Sequence, residues 1–153
     1  MSIVFKSIGC VKSNLTQDNI RDWRKCDSVI VINSELAEAL RGLEEFSHLI
    51  VLFHLDKVYE RLKGSLPPLK VHPRGREGIS KVGLFATRSP MRPNPIACTV
   101  VQLLGIEGNH IFVRGLDAID GSPVIDIKPY LPANDRVENP TISEWAEALA
   151  QGD

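Results

Sequence analysis

The stretch Gly83–Thr99, GLFATRSPMRPNPIACT, restricts the possible folds more than any other part of the chain. Pro90, Pro93 and Pro95 each fix φ and remove a backbone donor, so this stretch is neither helix interior nor central strand. Ser89, Arg92 and Asn94, each before a proline, are driven toward extended backbone. The result is a stiff loop between two apolar runs, holding Arg88, Ser89, Arg92 and Asn94 in fixed directions. A plain connection between strands needs only Gly, Asn or Asp. Guanidinium groups on a rigid loop suit an anionic or carboxylate-bearing ligand. They equally suit a rigid surface connection with solvated arginines.

A chain of 153 residues is long enough for one domain with a real core. No apolar run reaches the about 18 residues that a spanning helix needs. The start, MSIVFKSIGC, lacks the layout of a secretory signal. Cys10, Cys26 and Cys98 are odd in number and show no CxxC spacing, so they read as reduced, core-filling residues of a cytoplasmic protein. The net charge is −1, but its distribution is uneven. Eight of the 18 basic residues lie between Arg61 and Arg92 with Glu77 as the only acid, a local charge of +7. Such a segment is what a localised phosphate-binding face requires; a solvated loop with scattered charge is the plain alternative.

Apolar patterning places strands at 3–11, 28–32, 48–55, 96–106, 111–114 and 123–127. Residues 48–55, HLIVLFHL, read as a strand buried on both faces, with His54 at its end. Lys12–Arg24 reads as a loop, and Ser34 caps a short helix that Gly42 stops. Lys57–Lys81 reads as a long basic loop rich in Gly and Pro. Glu107–His110 is a hairpin turn, and Asp120-Gly121-Ser122-Pro123 a tight turn where backbone can approach a ligand. Thr141–Glu144 is a capping box for a last helix whose Ile142, Trp145 and Leu149 share a face. Six or seven strands, few helices and no βαβ rhythm predict a mainly β chain: an antiparallel or mixed β-barrel, closed or nearly closed, with a few short helices. The barrel domain is expected over 1–135, with a linker and short helix over 136–153.

There is no GxGxxG after a strand, no P-loop, no GxSxG and no histidine pair at metal spacing. The polar cluster Asp117, Asp120, Gly121, Ser122, Asp126 and Lys128 remains. Asp126 and Lys128 lie two apart on a strand and so share a face, either as a functional pair or as a surface ion pair worth little.

Two segments carry a resemblance to a known family. Gly83 to Pro95 and LDAIDGSPVIDIKPYLP resemble the two signatures of the TsaA-like (TrmO) proteins, with further agreement at Ile8-Gly9, Arg41-Gly42-Leu43-Glu44 and Phe46-Ser47-His48. These are tRNA adenine N6-methyltransferases that use S-adenosylmethionine. The resemblance implies a small β-barrel, commonly a homodimer, in which His54, Leu55, Arg88, Cys98, Asp120, Gly121, Ser122 and Pro123 line the cofactor. It implies methyl transfer to N6 of threonylcarbamoyl-adenosine next to the tRNA anticodon. On that reading Asp126, with Lys128 beside it, takes the N6 proton. Arg74, Arg76, Lys81, Arg92 and Asn94 contact the tRNA. A methyltransferase acting on a small molecule and a non-catalytic cofactor- or RNA-binding module are the competing readings.

Overall fold

The computed structural model describes residues 3–16 and 19–151. Asp18, part of the expected 12–24 loop, lies outside them. The chain divides into two compact units, one formed by Met1–Pro67 with Pro90–Tyr130, the other by Pro68–Ser89 with Leu131–Asp153.

The first unit is a closed barrel. Its strands are β1 (Gly9–Lys12), β2 (Asp27–Ile32), β3 (His48–His54), β6 (Ile96–Glu107), β7 (His110–Arg114) and β8 (Pro123–Pro129). They close in the order β1-β2-β7-β6-β3-β8, and every ladder is antiparallel. Of the antiparallel and mixed forms expected, the barrel takes the purely antiparallel one. Strict alternation along β2, β3 and β7 turns Ile30, Ile32, Leu49, Val51, Phe53, Ile111 and Val113 inward, where they meet Val11, Val101 and Val124. Each such burial stabilises by about 1.5–3 kcal/mol. β3 alternates rather than being buried on both faces, because Ile50 and Leu52 point outward and stay half-buried.

Several boundaries differ from the sequence-based reading. The first strand begins only at Gly9, and Ile3, Val4 and Phe5 are exposed. Gly9 is required by a close approach: a Cβ there would lie 2.2 Å from the Val31 carbonyl oxygen, forcing β1 from β2. The 12–24 loop contains a 3-10 turn that begins at Ile20 and runs to Lys25. The 34–40 helix is 3-10, with Asn33 rather than Ser34 at its N-cap, and Gly42 follows it at φ +84°. The basic loop holds helix α1 (Asp56–Leu62), whose first turn forms on the Leu55 carbonyl through the N–H groups of Val58 and Tyr59. None of the cysteines is fully buried, and Cys98 is exposed on the outside of β6, not in the core.

Alternation of direction puts the C-termini of β1, β7 and β3 and the N-termini of β2, β6 and β8 at one mouth of the barrel. β7 and β8 stand on opposite walls, so residues 115–122 must cross that mouth. Leu116 and Ala118 plug it, both buried, while Leu40 closes the other end. The crossing is tied to β6, where the buried Thr99 hydroxyl donates to the Asp117 carboxylate.

The second unit contains the two-stranded sheet of β4 (Lys70–Val71) and β5 (Val82–Gly83), the one-turn helix α2 (Pro132–Asp135) and helix α3 (Glu144–Gln151). The Ser143 carbonyl, rather than the expected Thr141 cap, receives the first helical N–H groups of α3, from Ala146 and Glu147. Pro73, Leu84 and Leu149 are buried in it, whereas Ile142 is exposed.

Thr99→Val is expected to leave the half-buried Asp117 without that donor and to cost about 1–3 kcal/mol. Urea unfolding should show a lower midpoint with an unchanged slope, and Thr99→Ser should restore it.

Candidate functional site

The Asp120–Pro123 turn is held on the end of β1 by its own backbone. Gly121 N–H donates to the Val11 carbonyl at 2.8 Å, Val11 N–H to Ser122 at 3.0 Å, and Asp120 N–H to Leu15 at 3.3 Å. The buried Ser122 hydroxyl closes the turn by donating to the Ile119 carbonyl at 2.8 Å. Gly121 sits at φ +80° with nothing within 4 Å of where a Cβ would stand. This conformation strains any residue with a side chain and leaves the backbone open to a ligand. Asp120 is exposed, and one of its oxygens accepts the Ser13 N–H at 3.1 Å. It borders a cleft of about 470 Å³ lined also by Lys12, Ser13, Asn14, Asp27, Ser28, Val29 and Phe112. Arg114 donates twice to Asp27 at the rim, at 2.6 and 2.9 Å, and these hydrogen bonds hold the Asp27 carboxyl below its usual pKa.

His54 and Leu55 end β3 at the same mouth. Leu55 N–H donates to the Pro95 carbonyl at 2.8 Å, so the proline-rich loop and the end of β3 are joined directly. The His54 ring leans on Tyr59 of α1, with centroids 5.6 Å apart. His54 pairs with Ile96 on one side. On the other, the β3–β8 ladder ends at Phe53↔Val124, so His54 and Pro123 are the next positions along the two strands. The barrel unit thereby brings His54, Leu55, the start of β6 and the Asp120–Pro123 turn to one place. Cys98 lies two residues along β6, on the outer face.

Asp126 and Lys128 do share a face, and it is the outside of the barrel. Their charges meet at 2.6 Å with both side chains largely exposed. The hydrogen bond to Asp126 and the carboxylate's charge raise the Lys128 pKa above the ordinary lysine value, so Lys128 is an ammonium at neutral pH. The second Asp126 oxygen accepts the Ile127 N–H at 2.9 Å. Asp126 lies beside a β-bulge, where Ile125 is the extra residue opposite Leu52 and Phe53. Leu52 pairs with Cys98 on β6 and Asp126 on β8, giving one outer row Cys98–Leu52–Asp126.

The remaining residues divide between the units. Arg92 and Asn94 belong to the barrel unit, while Arg74, Arg76, Lys81 and Arg88 belong to the second, each of these four exposed. The Thr99–Asp117 bond and the Ile125 bulge had no sequence signal, since neither pairing nor register is written in local pattern. Among the described residues no group of three or more His, Cys, Asp or Glu side chains is arranged to hold a metal ion.

The groups gathered at the mouth fit S-adenosylmethionine by donor type. The exposed Asp120 carboxylate suits an ammonium or a ribose diol, the open Gly121 backbone permits close approach, and Leu55 with the His54 ring offers apolar surface.

Comparison with known proteins agrees with that chemistry. A family model described as the tRNA-methyltransferase O N-terminal domain matches residues 16–136. An S-adenosyl-L-methionine-binding protein of Archaeoglobus fulgidus is 45% identical over 139 residues, covering 88% of this chain and 94% of that protein. A Mus musculus tRNA (adenine(37)-N6)-methyltransferase is 44% identical over 120 residues, 74% of this chain but 26% of that enzyme. A crystal structure of TrmO from Pseudomonas aeruginosa has a TM-score of 0.74 at 28% identity, covering 94% of this chain and 63% of that one. The chain thus spans about a quarter of the mouse enzyme and less than two thirds of the Pseudomonas structure. With 121 consecutive residues inside the family model and one relative alike along nearly its whole length, the chain belongs to the tRNA-methyltransferase O family.

Proposed function

We propose that this protein is a cytoplasmic S-adenosylmethionine-dependent methyltransferase that modifies N6 of the adenosine beside the tRNA anticodon, in its threonylcarbamoyl form. The observation that carries the reading is the convergence of His54, Leu55 and the Asp120–Pro123 turn at one mouth of the barrel. S-adenosylmethionine supplies an electrophilic methyl group on a sulfonium. The chain supplies a fixed frame for it. The turn cannot shift without breaking its bonds to β1, and β3 cannot shift without breaking the Leu55–Pro95 bond. An amide-like N6 is a poor nucleophile, so alignment and exclusion of water contribute much of the rate.

Asp126 is the proposed acceptor of the N6 proton. Each of its oxygens already accepts one hydrogen bond, from Lys128 and from the Ile127 N–H, and each keeps a further lone pair for the proton. Asp126→Asn is expected to keep cofactor affinity in calorimetry and to lose methyl transfer by about 10²-fold or more. Undiminished transfer with normal cofactor binding rules the role out.

The name of the Archaeoglobus relative, which states binding alone, favours a second reading as a cofactor-binding protein without tRNA chemistry. Mass spectrometry of tRNA nucleosides from a deletion strain separates the two. Loss of the N6-methyl mark, restored by the gene, supports the methyltransferase; an unchanged nucleoside profile leaves the binding protein.

A homodimer is the proposed assembly. The outside of β6 exposes Val100 and Leu104 by 49% and 42%, next to half-buried Ile50 and Leu52 of β3. An apolar strip on a sheet face is the kind of surface that a second copy covers. Val100→Lys should shift sedimentation from dimer to monomer; a wild-type monomer at all concentrations removes the proposal.

A further inference from the structure

From the exposed ring of Phe85 and the five exposed cations of the same segment, we infer that residues 68–89 form an RNA-gripping element. In it Phe85 stacks on an unpaired base while the basic side chains hold the adjoining phosphates. This rests on the reading of tRNA as substrate and goes beyond it by assigning a stacking residue.

Phe85 is 77% exposed on a turn that is otherwise firmly anchored. Leu84 before it is 2% exposed, and its N–H donates to the Leu69 carbonyl at 2.9 Å. Thr87 closes the turn, its hydroxyl donating to the Leu84 carbonyl at 2.8 Å and accepting the Ser89 N–H at 3.3 Å. The anchored turn thus keeps most of the ring's surface open to solvent. A ring so presented offers a flat face on which a base can stack.

The charge of the same segment points to the class of ligand. Residues 68–89 carry Lys70, Arg74, Arg76, Lys81 and Arg88 against the single acid Glu77, and all five cations are exposed. Pairing of Lys70 with Gly83 and Val71 with Val82 brings the two ends of the segment together, so Lys70 and Phe85 both lie at its base. The tip is stiffened as well. The His72 ring donates through Nδ1 to the Ile79 carbonyl at 2.7 Å, which fixes the tautomer. Pro73 is buried, and Arg74 is held at φ +49°, a left-handed conformation that arginine seldom adopts. Exposed cations and an exposed aromatic ring on one anchored segment match single-stranded RNA, where bases stack on rings and phosphates meet Lys and Arg.

The test is fluorescence anisotropy with an anticodon stem-loop RNA across a salt series, comparing wild type, Phe85→Ala, Phe85→Tyr and Lys81→Ala. Phe85→Ala should weaken binding by about tenfold or more at every salt concentration, leaving the salt slope unchanged. Phe85→Tyr should bind like wild type, and Lys81→Ala should lower the slope by about 0.7–0.9. Cofactor affinity of Phe85→Ala should stay at the wild-type value, which separates loss of stacking from loss of fold. Wild-type affinity of Phe85→Ala for the RNA overturns the inference while leaving the tRNA reading in place. So does a weakening that coincides with dissociation of a dimer. No salt-dependent binding by the wild type overturns the tRNA reading and this inference together.

Discussion

The crossing of residues 115–122 over one mouth of the barrel is the constraint on which the candidate site depends. Six antiparallel strands close a small barrel, and the chain leaves β7 on the wall opposite to the one where β8 begins. A segment crossing a buried mouth has to satisfy its own backbone polar groups. Gly115 N–H donates to Cys26, and the N–H groups of Asp120, Gly121 and Ser122 find Leu15, Val11 and Ile119. Leu116 and Ala118 fill the mouth, and Thr99 holds Asp117 from the side of β6. The turn that presents Asp120 and Gly121 is therefore fixed at both ends by core elements, not by loop chemistry of its own.

That arrangement fixes the proposed cofactor turn, with its one exposed carboxylate, without a Gly-rich nucleotide motif or a helix N-terminus. Precision comes from the walls. β3, between β6 and β8, carries His54 to the mouth beside Pro123, and the Pro95 carbonyl holds Leu55 there. Pro95, which itself cannot donate a hydrogen bond, is buried where its carbonyl is the useful group. The prolines around it restrict the loop before any contact is made, which lowers the entropy lost on folding.

Much of the barrel was legible because its strands alternate. Residues 28–32, 96–106, 111–114 and 123–127 lie within observed strands, and the Glu107–His110 turn joins β6 to β7. The failures have separate causes. Ile3–Val4–Phe5 has strand composition but no ladder partner, so composition alone misled. HLIVLFHL looked buried on both faces because Ile50 and Leu52 are apolar on the outer face, a choice local pattern cannot distinguish from core. Helix α1 was hidden among basic residues, with no buried side chain of its own to give a helical period. At the site, the segments were readable as motifs. Their meeting was not, because it depends on closure of the barrel and on the β8 bulge.

The outer row Cys98–Leu52–Asp126 and the next row Val100–Ile50–Lys128 join two features that are weak when taken separately. An exposed Asp126–Lys128 pair in water contributes little to stability, because solvent already satisfies both charges. The apolar residues beside it are likewise unremarkable singly. Side by side on one sheet face they acquire a shared consequence. A second copy seated over Val100 and Ile50 would remove water from the edge of the ion pair. Removal of water strengthens the attraction and raises the cost of separating the charges. On the proposed roles, the ease with which Asp126 accepts a proton would then depend on whether that face is covered. Assembly and proton transfer would be coupled through one pair of strands, with no moving segment between them.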